Sequence, residues 1–384
     1  MNKSIDLFIF SDALGWELAR ERNFMADVFP HRSPCGTIFG YSSSCDPSIL
    51  TGRVPQEHGH FSFFVYDPEH SPFGGANWFS WLPGLLTGHH RVRSRLSRYW
   101  GKWLGYTGYF QLYNVPFSKM PFLDYTEKRD IYLPGGINGG QETIFAVWDR
   151  LGIEWHRSDW RKADAENFSD MARVLDEGRV RCAYLFTGGL DAAMHGHTTH
   201  SPETDRAFDR LEEGLRQVHA AALKKYGQVR MHLFSDHGMT DTTGASDMML
   251  RFEELGLIYG VDYGAVWDST MARFWFLKPG VREKICQWLE RQKEGSIVSD
   301  SKLAEWGCLF ADRKYGELFY LLNPGTIFVP CYMARHRVPA MHGFDPDHPA
   351  SVACWLTSHP TAVPKRIEGI FNVMKDAAEH VAAE

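Results

Sequence analysis

Short apolar runs of strand length recur along this chain, and each is followed by a polar or glycine-rich turn. They are IDLFIF (5–10), CAYLFTGG (182–189), VRMHLFSD (229–236), ARFWFL (272–277) and ELFYLL (317–322). Continuous apolar runs of this length are typical of strands that are buried on both faces of a sheet. The runs therefore predict a sheet that is covered on both sides.

Helical patterns separate these runs. Residues 201–227 begin with Ser201 as an N-cap and Pro202 at the first helical position, and they end at Gly227. A second helix is predicted within 139–152, and a third follows Pro364. Strands that alternate with helices predict an α/β fold, with a largely parallel central sheet sandwiched by helices. Ligand sites in such folds lie at the carboxyl ends of the strands.

Residues 60–135 interrupt this alternation. They are crowded with Phe, Tyr and Trp and include the basic segment HHRVRSRLSRYWGKW (89–103). We interpret 60–135 as an aromatic-rich cap insertion within a single catalytic domain spanning 1–384. Its basic and aromatic side chains suit a lipid-linked substrate or peripheral contact with anionic headgroups at a membrane surface. The alternative is a small hydrophobic core of the insertion's own, with a solvated basic face.

Charge and cysteine usage limit the compartment and the partners. The net charge of −6 argues against a nucleic-acid polymer as partner, because such binders are usually basic. The N-terminal segment lacks the pattern of a secretory signal, and no window approaches the roughly 18 uncharged apolar residues of a membrane span. Seven scattered cysteines without a CxxC pair favour reduced thiols. We therefore expect a cytoplasmic protein without a transmembrane segment.

Acidic and imidazole side chains follow several of the apolar runs. The set is Asp12, Asp191, His195, Asp236, His237 and His342. Each has an ordinary reading by itself, as a turn aspartate or as a surface or core histidine. Together they form the ligand set of zinc and related divalent ions. The sequence thus predicts a site for two divalent metal ions, with zinc favoured and manganese as the alternative.

The segment YSSSCDPSILTGRVPQEHG (41–59) offers hydroxyl groups to such a site. A hydroxyl bound to a divalent cation loses its proton far more readily than one in water. If the serines begin a helix that runs through Ser48, the amides of that helix also favour an incoming anion. The alternative is a serine-rich loop without a catalytic role.

These segments, in this order, resemble the alkaline phosphatase superfamily, and most closely its type I phosphodiesterase/nucleotide pyrophosphatase branch. The matching segments are Asp12 after the first strand, LTGRVPQEHG (50–59), DAAMH (191–195), SDHGM (235–239) and MHGFD (341–345). The resemblance implies an alkaline phosphatase-like fold. It also implies a metal-dependent phosphoester hydrolase, of phosphodiesterase or pyrophosphatase type, that forms a phosphoserine intermediate.

The resemblance also implies the role of each site residue. One ion would be held by Asp191, His195 and His342, and the other by Asp12, Asp236, His237 and the nucleophile. The family's nucleophile lies nine residues before the threonine of the Thr-Gly pair, and counting back from Thr51 gives Ser42. Ser43 and Ser44 lie beside it, so a slip in this count would move the assignment.

Two departures limit the resemblance. The stretch CDPS (45–48) looks like a sulfatase motif, but Cys45 lies six residues before Thr51, whereas the sulfatase cysteine lies nine before it. Nucleotide pyrophosphatases also place an asparagine shortly after the His-Gly of this segment. Here EHGHFSFF (57–64) has Ser62 and Phe63 instead, and these are the candidate substrate contacts. Nucleotide specificity is therefore not predicted.

Other hypotheses remain open. A phosphomonoesterase or a phosphomutase of the same fold would use the same site. A catalytically inactive member would keep the fold and bind a glycan or lipid through its aromatic insertion. The complete metal set speaks against an inactive protein, because loss of activity usually begins with loss of these ligands.

Overall fold

The structure is a computed structural model, and it describes residues 3–79 and 90–384. Its strands are β1 (Ser4–Ser11), β2 (His31–Cys35), β3 (Phe64–Tyr66), β4 (Leu123–Tyr125), β5 (Trp155–Arg157), β6 (Cys182–Thr187), β7 (Gln228–Phe234), β8 (Thr240–Asp241), β9 (Gly244–Ser246), β10 (Tyr263–Trp267), β11 (Met271–Phe276), β12 (Gly295–Val298), β13 (Leu318–Leu322), β14 (Thr326–Phe328), β15 (Ala340–Met341) and β16 (Ala353–Thr357). Its α-helices are α1 (Trp16–Glu21), α2 (Ser42–Thr51), α3 (Pro55–His58), α4 (His90–Leu104), α5 (Ile144–Arg150), α6 (Asp164–Asp176), α7 (Gly189–Gly196), α8 (Pro202–Lys225), α9 (Met248–Arg251), α10 (Val281–Leu289), α11 (Asp300–Glu305) and α12 (Ile370–Ala383).

The central layer is a six-stranded, largely parallel sheet in the order β2-β16-β7-β1-β6-β5. Strand β1 pairs in parallel with both β6 and β7, whereas β16 runs antiparallel to its neighbours. Ser11 lies opposite Thr187, and Phe10 lies opposite Phe234. The three strands therefore end level with one another, and the segments that follow them meet at one edge of the sheet.

Helices cover both faces of this sheet, so the predicted α/β class is confirmed. Alternate residues of β1 supply the two cores: Phe8 and Phe10 lie in one, and Leu7 and Ile9 in the other. Helices α6 and α8 cover the Leu7 face, and α2, α5 and α12 pack on the other side. Fully burying an apolar side chain of this size contributes about 1.5–3 kcal/mol, so the alternation along β1 fixes which face each residue takes.

The helix predicted over 201–227 is confirmed as α8. The side chain of Ser201 accepts a hydrogen bond from the Thr204 amide at 3.1 Å and so caps the first turn. The helix predicted within 139–152 is shorter and spans Ile144–Arg150, and Gly140, with a φ of 72°, lies in the loop before it.

The runs 272–277 and 317–322 do form strands, but not in the central sheet. They are β11 and β13 of a separate antiparallel sheet in the order β10-β11-β13-β12. Both strands are almost entirely buried, so their apolar patterns match that of a central parallel strand. The apolar pattern thus predicted burial correctly, but it did not show with which strands β11 and β13 pair.

Much of the interval 60–135 packs against the main core. Phe64, Phe73, Leu112 and Tyr125 are buried in the same cluster as Phe10. Strands β3 and β4 of this interval pair with each other. Residues 80–89, including the first residue of the basic segment, lie outside the described residues. The division into a catalytic domain and a cap stays a prediction.

Helix α4 of this interval has distinct inner and outer faces. On the inner face Arg93 is buried and donates to the Val115 carbonyl at 2.9 Å. Tyr99 and Trp103 lie on the outer face and are 74% and 78% exposed. Across the ranges 3–79 and 90–384, no helix combines the length and apolar character that a bilayer crossing requires. All seven cysteines are free thiols.

Candidate active site

The carboxyl ends of β1 and β7 bring Asp12, Asp236 and His237 together. The Asp12 amide donates to the Thr187 carbonyl at 2.9 Å, and the Ala13 amide donates to Asp236 Oδ1 at 3.2 Å. Gly15 and Gly238, which follow these two strands, permit a close approach, since an added Cβ on Gly15 would lie 2.7 Å from the Gly238 Cα. The exits of the two strands are therefore packed backbone against backbone.

Within this first cluster, His237 Nε2 lies 2.9 Å from Asp236 Oδ2 and 3.7 Å from Asp12 Oδ1. The other ring nitrogen, Nδ1, donates to the Gly238 carbonyl at 3.0 Å. Nε2 is then unprotonated in the neutral ring, and its lone pair faces two carboxylates. Such an arrangement is favourable when a cation lies between these groups.

The second cluster joins α7 to the segment after β15. Asp191 and His195 lie one helical turn apart, with His195 Nε2 3.3 Å from Asp191 Oδ1. His342 Nε2 lies 3.9 Å from the same oxygen. His195 Nδ1 donates to the Ala340 carbonyl at 3.0 Å, which again leaves Nε2 for a ligand. The ring of His342 stacks on that of His237 with centroids 3.7 Å apart, so the two clusters adjoin.

Both clusters have the composition of divalent-ion sites. Each comprises carboxylate oxygens and imidazole nitrogens within 4.8 Å of one another. Asp12 Oδ1, Asp191 Oδ1 and Asp236 Oδ2 are buried and accept no hydrogen bond from the described residues. Buried polar atoms without partners are costly, and a bound cation would satisfy all three. The residues therefore fit the metal ions that the sequence predicts, and that role stays a prediction.

The pKa shifts in the site also favour bound cations. Burial raises the pKa of Asp12, and the neighbouring carboxylates of Asp236, Asp191 and Asp46 raise it further. Burial lowers the pKa of His342 and so keeps its ring in the neutral form that binds metals. Packed carboxylates of this kind need positive charge to stay ionised together.

Ser42 is the first residue of α2 and lies beside the first cluster. Its Oγ is 3.2 Å from His237 Nε2. The neighbouring serines use their hydroxyl groups elsewhere: Ser43 Oγ donates to the Phe61 carbonyl at 3.0 Å, and Ser44 Oγ to the Tyr41 carbonyl at 2.8 Å. Of the three serines, Ser42 is thus the one whose hydroxyl faces the predicted ligands.

A cleft of about 560 Å³ opens in front of both clusters. Its walls include Phe63, whose contact with substrate stays a prediction, and several aromatic residues that the sequence did not single out: Tyr109, Tyr113, Tyr132, Trp160 and Phe186. Ser62 is not among the residues that line it. The Ser62 hydroxyl instead accepts a hydrogen bond from Arg273 Nη2 at 2.8 Å, which does not favour the predicted substrate contact.

Three acidic residues of the cleft were missed by the sequence reasoning: Asp46, Glu127 and Asp130. Asp46 lies one helical turn after Ser42 in α2, so its place in the serine segment was an available signal. Glu127 and Asp130 follow β4, and nothing local in their sequence distinguishes them from surface acids. Among the described residues, no lysine or arginine lines the cleft.

A third acidic and imidazole group comprises Asp6 on β1, His232 on β7 and His359 after β16. Arg230 Nε donates to Asp6 Oδ1 at 2.9 Å, and His232 Nε2 lies 3.1 Å from the same oxygen. Burial alone raises the pKa of Asp6, but these two partners outweigh it and lower the pKa to about 2. An arginine beside the carboxylate competes with a metal, so we interpret this group as a buried ionic network.

Comparisons with known proteins address the identity of the chain. A family model described as type I phosphodiesterase/nucleotide pyrophosphatase matches residues 40–284, which is more than half of the sequence. The matched range contains Ser42, α7 and the Asp236-His237 segment. No curated protein matches the sequence significantly.

Solved structures of ectonucleotide pyrophosphatase/phosphodiesterase 5 resemble the chain over nearly its whole length. The murine protein has a TM-score of 0.66 at 13% identity, covering 99% of this chain and 95% of that one. The human protein has a TM-score of 0.67 at 12% identity, covering 98% and 94%. An inactive murine variant in complex with AMP has a TM-score of 0.67 at 12% identity, covering 98% and 95%. Likeness at these identities establishes the fold.

Proposed function

Because the chain belongs to the type I phosphodiesterase/nucleotide pyrophosphatase family, whose metal-dependent members hydrolyse phosphoric ester bonds, we propose that it is a phosphodiesterase that acts through a phosphoserine on Ser42 at a two-metal site. One observation carries this proposal. The Ser42 hydroxyl lies 3.2 Å from His237 Nε2, where two clusters of unsatisfied ligands adjoin at the mouth of a cleft.

Each of the two clusters would hold one metal ion. Asp12, Asp236 and His237 would hold the ion beside Ser42, and the second cluster would hold the other. When bound, the two divalent ions supply positive charge that lowers the pKa of the serine hydroxyl and neutralises the phosphoryl group. The hydrogen bond from His237 Nδ1 to the Gly238 carbonyl fixes that ring, so its Nε2 keeps a constant direction.

Ser42 then performs the covalent step. Its Oγ loses a proton and attacks phosphorus in line, and the bond from phosphorus to the leaving alkoxide breaks. A water molecule next attacks the phosphoserine, which breaks the bond to Oγ and releases a phosphomonoester. The partial positive charge at the N-terminus of α2, where Ser42 lies, favours the phosphoryl anion throughout.

Chelation and substrate choice test this function. Purified protein is assayed with bis-p-nitrophenyl phosphate and p-nitrophenyl phosphate before chelation, after chelation, and after return of zinc or manganese. We expect hydrolysis of the diester that chelation abolishes and metal restores. Preference for the monoester would favour a phosphatase, and phosphoryl transfer without release of phosphate would favour a mutase. Hydrolysis of neither ester in any metal would favour the inactive binding protein.

We also propose that α4 brings the enzyme to an anionic membrane surface. Its outer face carries Val92, Tyr99 and Trp103 as exposed apolar groups beside Arg95 and Lys102. The helix contains no acidic residue. Aromatic rings and cations on one exposed face match the requirements of an interfacial helix on anionic lipid. A lipid-linked phosphoester would then reach the enzyme from the bilayer.

Vesicle binding tests the membrane proposal. We expect the protein to sediment with vesicles of phosphatidylcholine and phosphatidylglycerol more than with phosphatidylcholine alone. The double variant Tyr99→Ser/Trp103→Ser should lose this binding. Leu223→Ser is a matched control, since Leu223 is 59% exposed on a different helix. Equal sedimentation with both lipids would contradict the proposal. A cytoplasmic location, also a proposal, is supported by the free thiols.

A further inference from the structure

We propose that the cleft binds a positively charged nitrogen group of the substrate, held by Glu127 among aromatic rings. The preferred substrate class would then be a monoanionic phosphodiester that carries an ammonium group. This inference rests on the proposed function, and it adds which part of the substrate the cleft recognises.

Glu127 is a buried carboxylate without a cationic partner among the described residues. It is 7% exposed and lines the cleft. Oε1 accepts one long hydrogen bond, from the Tyr109 amide at 3.4 Å, and Oε2 accepts none from the described residues. Burying a charge without a partner is expensive, so buried carboxylates are normally paired. A ligand that brings a positive charge would supply the missing partner.

Apart from the proposed metal ligands Asp12 and Asp191, the cleft wall has two acids besides Glu127, and both have partners. Asp130 Oδ2 lies 2.9 Å from Arg161 Nη2. Asp46 Oδ2 accepts a hydrogen bond from the Tyr132 hydroxyl at 3.2 Å. Outside the proposed metal ligands, Glu127 is thus the wall carboxylate with neither an ion-pair partner nor a side-chain donor among the described residues.

Aromatic rings surround the place where the ligand would lie. Phe63 lies 5.3 Å from Tyr109 and 5.9 Å from Tyr113, measured between ring centroids. Trp160 lies 6.2 Å from Tyr109, also between centroids. The faces of such rings attract cations, and groups of rings are a known way to bind quaternary ammonium ligands. A carboxylate within an aromatic wall suits an amine better than it suits a phosphate.

The lining of the cleft also disfavours a substrate with further negative charge. Binding of polyphosphate groups generally relies on lysine or arginine, and no described residue of either type lines the cleft. A pyrophosphate substrate would place its extra charge against Asp46, Glu127 and Asp130. A diester with one negative charge at the metals and one positive charge near Glu127 avoids this repulsion.

The protonation state of Glu127 agrees with this role. Burial raises the pKa of Glu127, the Tyr109 amide lowers it and Asp130 raises it, and together they place this pKa at about 8. The titratable groups that face it are two carboxylates, Asp46 and Asp130, and the hydroxyls of four tyrosines: Tyr109, Tyr113, Tyr125 and Tyr315. In an empty cleft at neutral pH, much of Glu127 is therefore protonated. A bound cation would favour the ionised form and lower this pKa.

A pair of isosteric esters tests the inference. The substrates are p-nitrophenyl phosphorylcholine and p-nitrophenyl 3,3-dimethylbutyl phosphate, which differ in a charged nitrogen against a neutral carbon. We expect kcat/KM to favour the cationic ester by about 10- to 30-fold, the range typical of a desolvated cation among aromatic rings. Glu127→Gln should lower this ratio at least about threefold, because the aromatic rings remain but the negative charge is lost. Asp124→Asn is the matched control and should keep the ratio, because Asp124 pairs with Lys128 at 2.8 Å and does not line the cleft.

Binding without turnover gives a second readout. Titration of the wild-type protein with tetramethylammonium chloride, followed by tryptophan fluorescence, should show saturation that Glu127→Gln weakens at least tenfold. A wild-type ratio near 1 with both esters hydrolysed would overturn the ammonium subsite alone. Failure to hydrolyse either ester would overturn the proposed function, while the titration would still test the subsite. Equal titration curves for the two proteins would remove Glu127 from the role.

Discussion

Replacing Ser42 by alanine is the most direct test of the proposed chemistry, because the neighbouring serines cannot take its place without breaking their own contacts. The hydroxyls of Ser43 and Ser44 donate to backbone carbonyls, at 3.0 Å and 2.8 Å. Only Ser42 has its hydroxyl beside His237. Ser42→Ala should therefore remove the nucleophile and leave no substitute.

The expected magnitudes separate catalysis from stability. Loss of a covalent nucleophile should lower kcat by at least about 10³-fold, which corresponds to about 4 kcal/mol of activation free energy. The free energy of unfolding should change little, because the single described contact of Ser42 Oγ is with His237. Ser43→Ala should lower the free energy of unfolding and leave kcat nearly unchanged. It loses a hydrogen bond and leaves the Phe61 carbonyl unpaired, which costs about 1–2 kcal/mol of stability, while kcat should stay within about tenfold.

The assay combines diester turnover, urea unfolding and acid quenching for peptide mass spectrometry. Wild-type protein quenched during turnover should yield a phosphorylated peptide that carries the modification on Ser42. The reasoning is refuted if Ser42→Ala keeps more than a tenth of wild-type kcat. A large loss of kcat in Ser43→Ala, with phosphate found on Ser43, would instead show that the count back from Thr51 had slipped.

Three other predictions follow from the described contacts. His195→Ala should bind about one metal ion per chain instead of two, measured by plasma mass spectrometry, and retention of both ions would contradict the proposed ligand grouping. The ratio of kcat/KM for the cationic ester to that for the neutral ester should rise between about pH 6 and pH 8. Glu127 has a pKa of about 8, so its negative charge increases over this range. A ratio that does not change with pH would contradict this prediction. Asp6→Asn should lower the free energy of unfolding by about 2 kcal/mol at pH 7, since the Asp6 pKa is lowered from 3.8 to about 2. This contribution to stability is fully present above pH 3.8 and is lost as the pH falls through about 2. The variant should therefore lose less free energy of unfolding at pH 3 than at pH 7, measured by urea denaturation. An equal loss at both pH values would contradict the ionic network.

Local signals in the sequence were sufficient for the elements that bring the site together. Apolar runs marked β1, β6 and β7, and parallel pairing makes the residues after them meet. The positions of Asp12 and Asp236 after these runs were therefore enough to predict that the two residues lie close together. The start of α8 was readable because Ser201 caps its own helix, an interaction that spans only three residues. Predictions of this kind depend on short stretches of chain.

The walls of the cleft depend on contacts between distant segments, which a single sequence does not reveal. Glu127 resembles a surface acid in its local sequence and becomes a buried wall residue through packing against Tyr109. The run 272–277 was assigned to the central sheet because burial on both faces looks the same in either sheet. Ser62 is buried and accepts a hydrogen bond from Arg273, 211 positions away, a contact that its local sequence does not reveal.

The proposed metal ligands come from distant parts of the chain, and this has a consequence for synthesis. Asp12 leaves the ribosome early, whereas His342 emerges 330 residues later (342 − 12). Until β15 has paired with β8, the nascent polypeptide lacks the histidine that adjoins both clusters. A site built from these ligands is complete only once β15 has paired with β8, so the proposed activity would begin after that pairing.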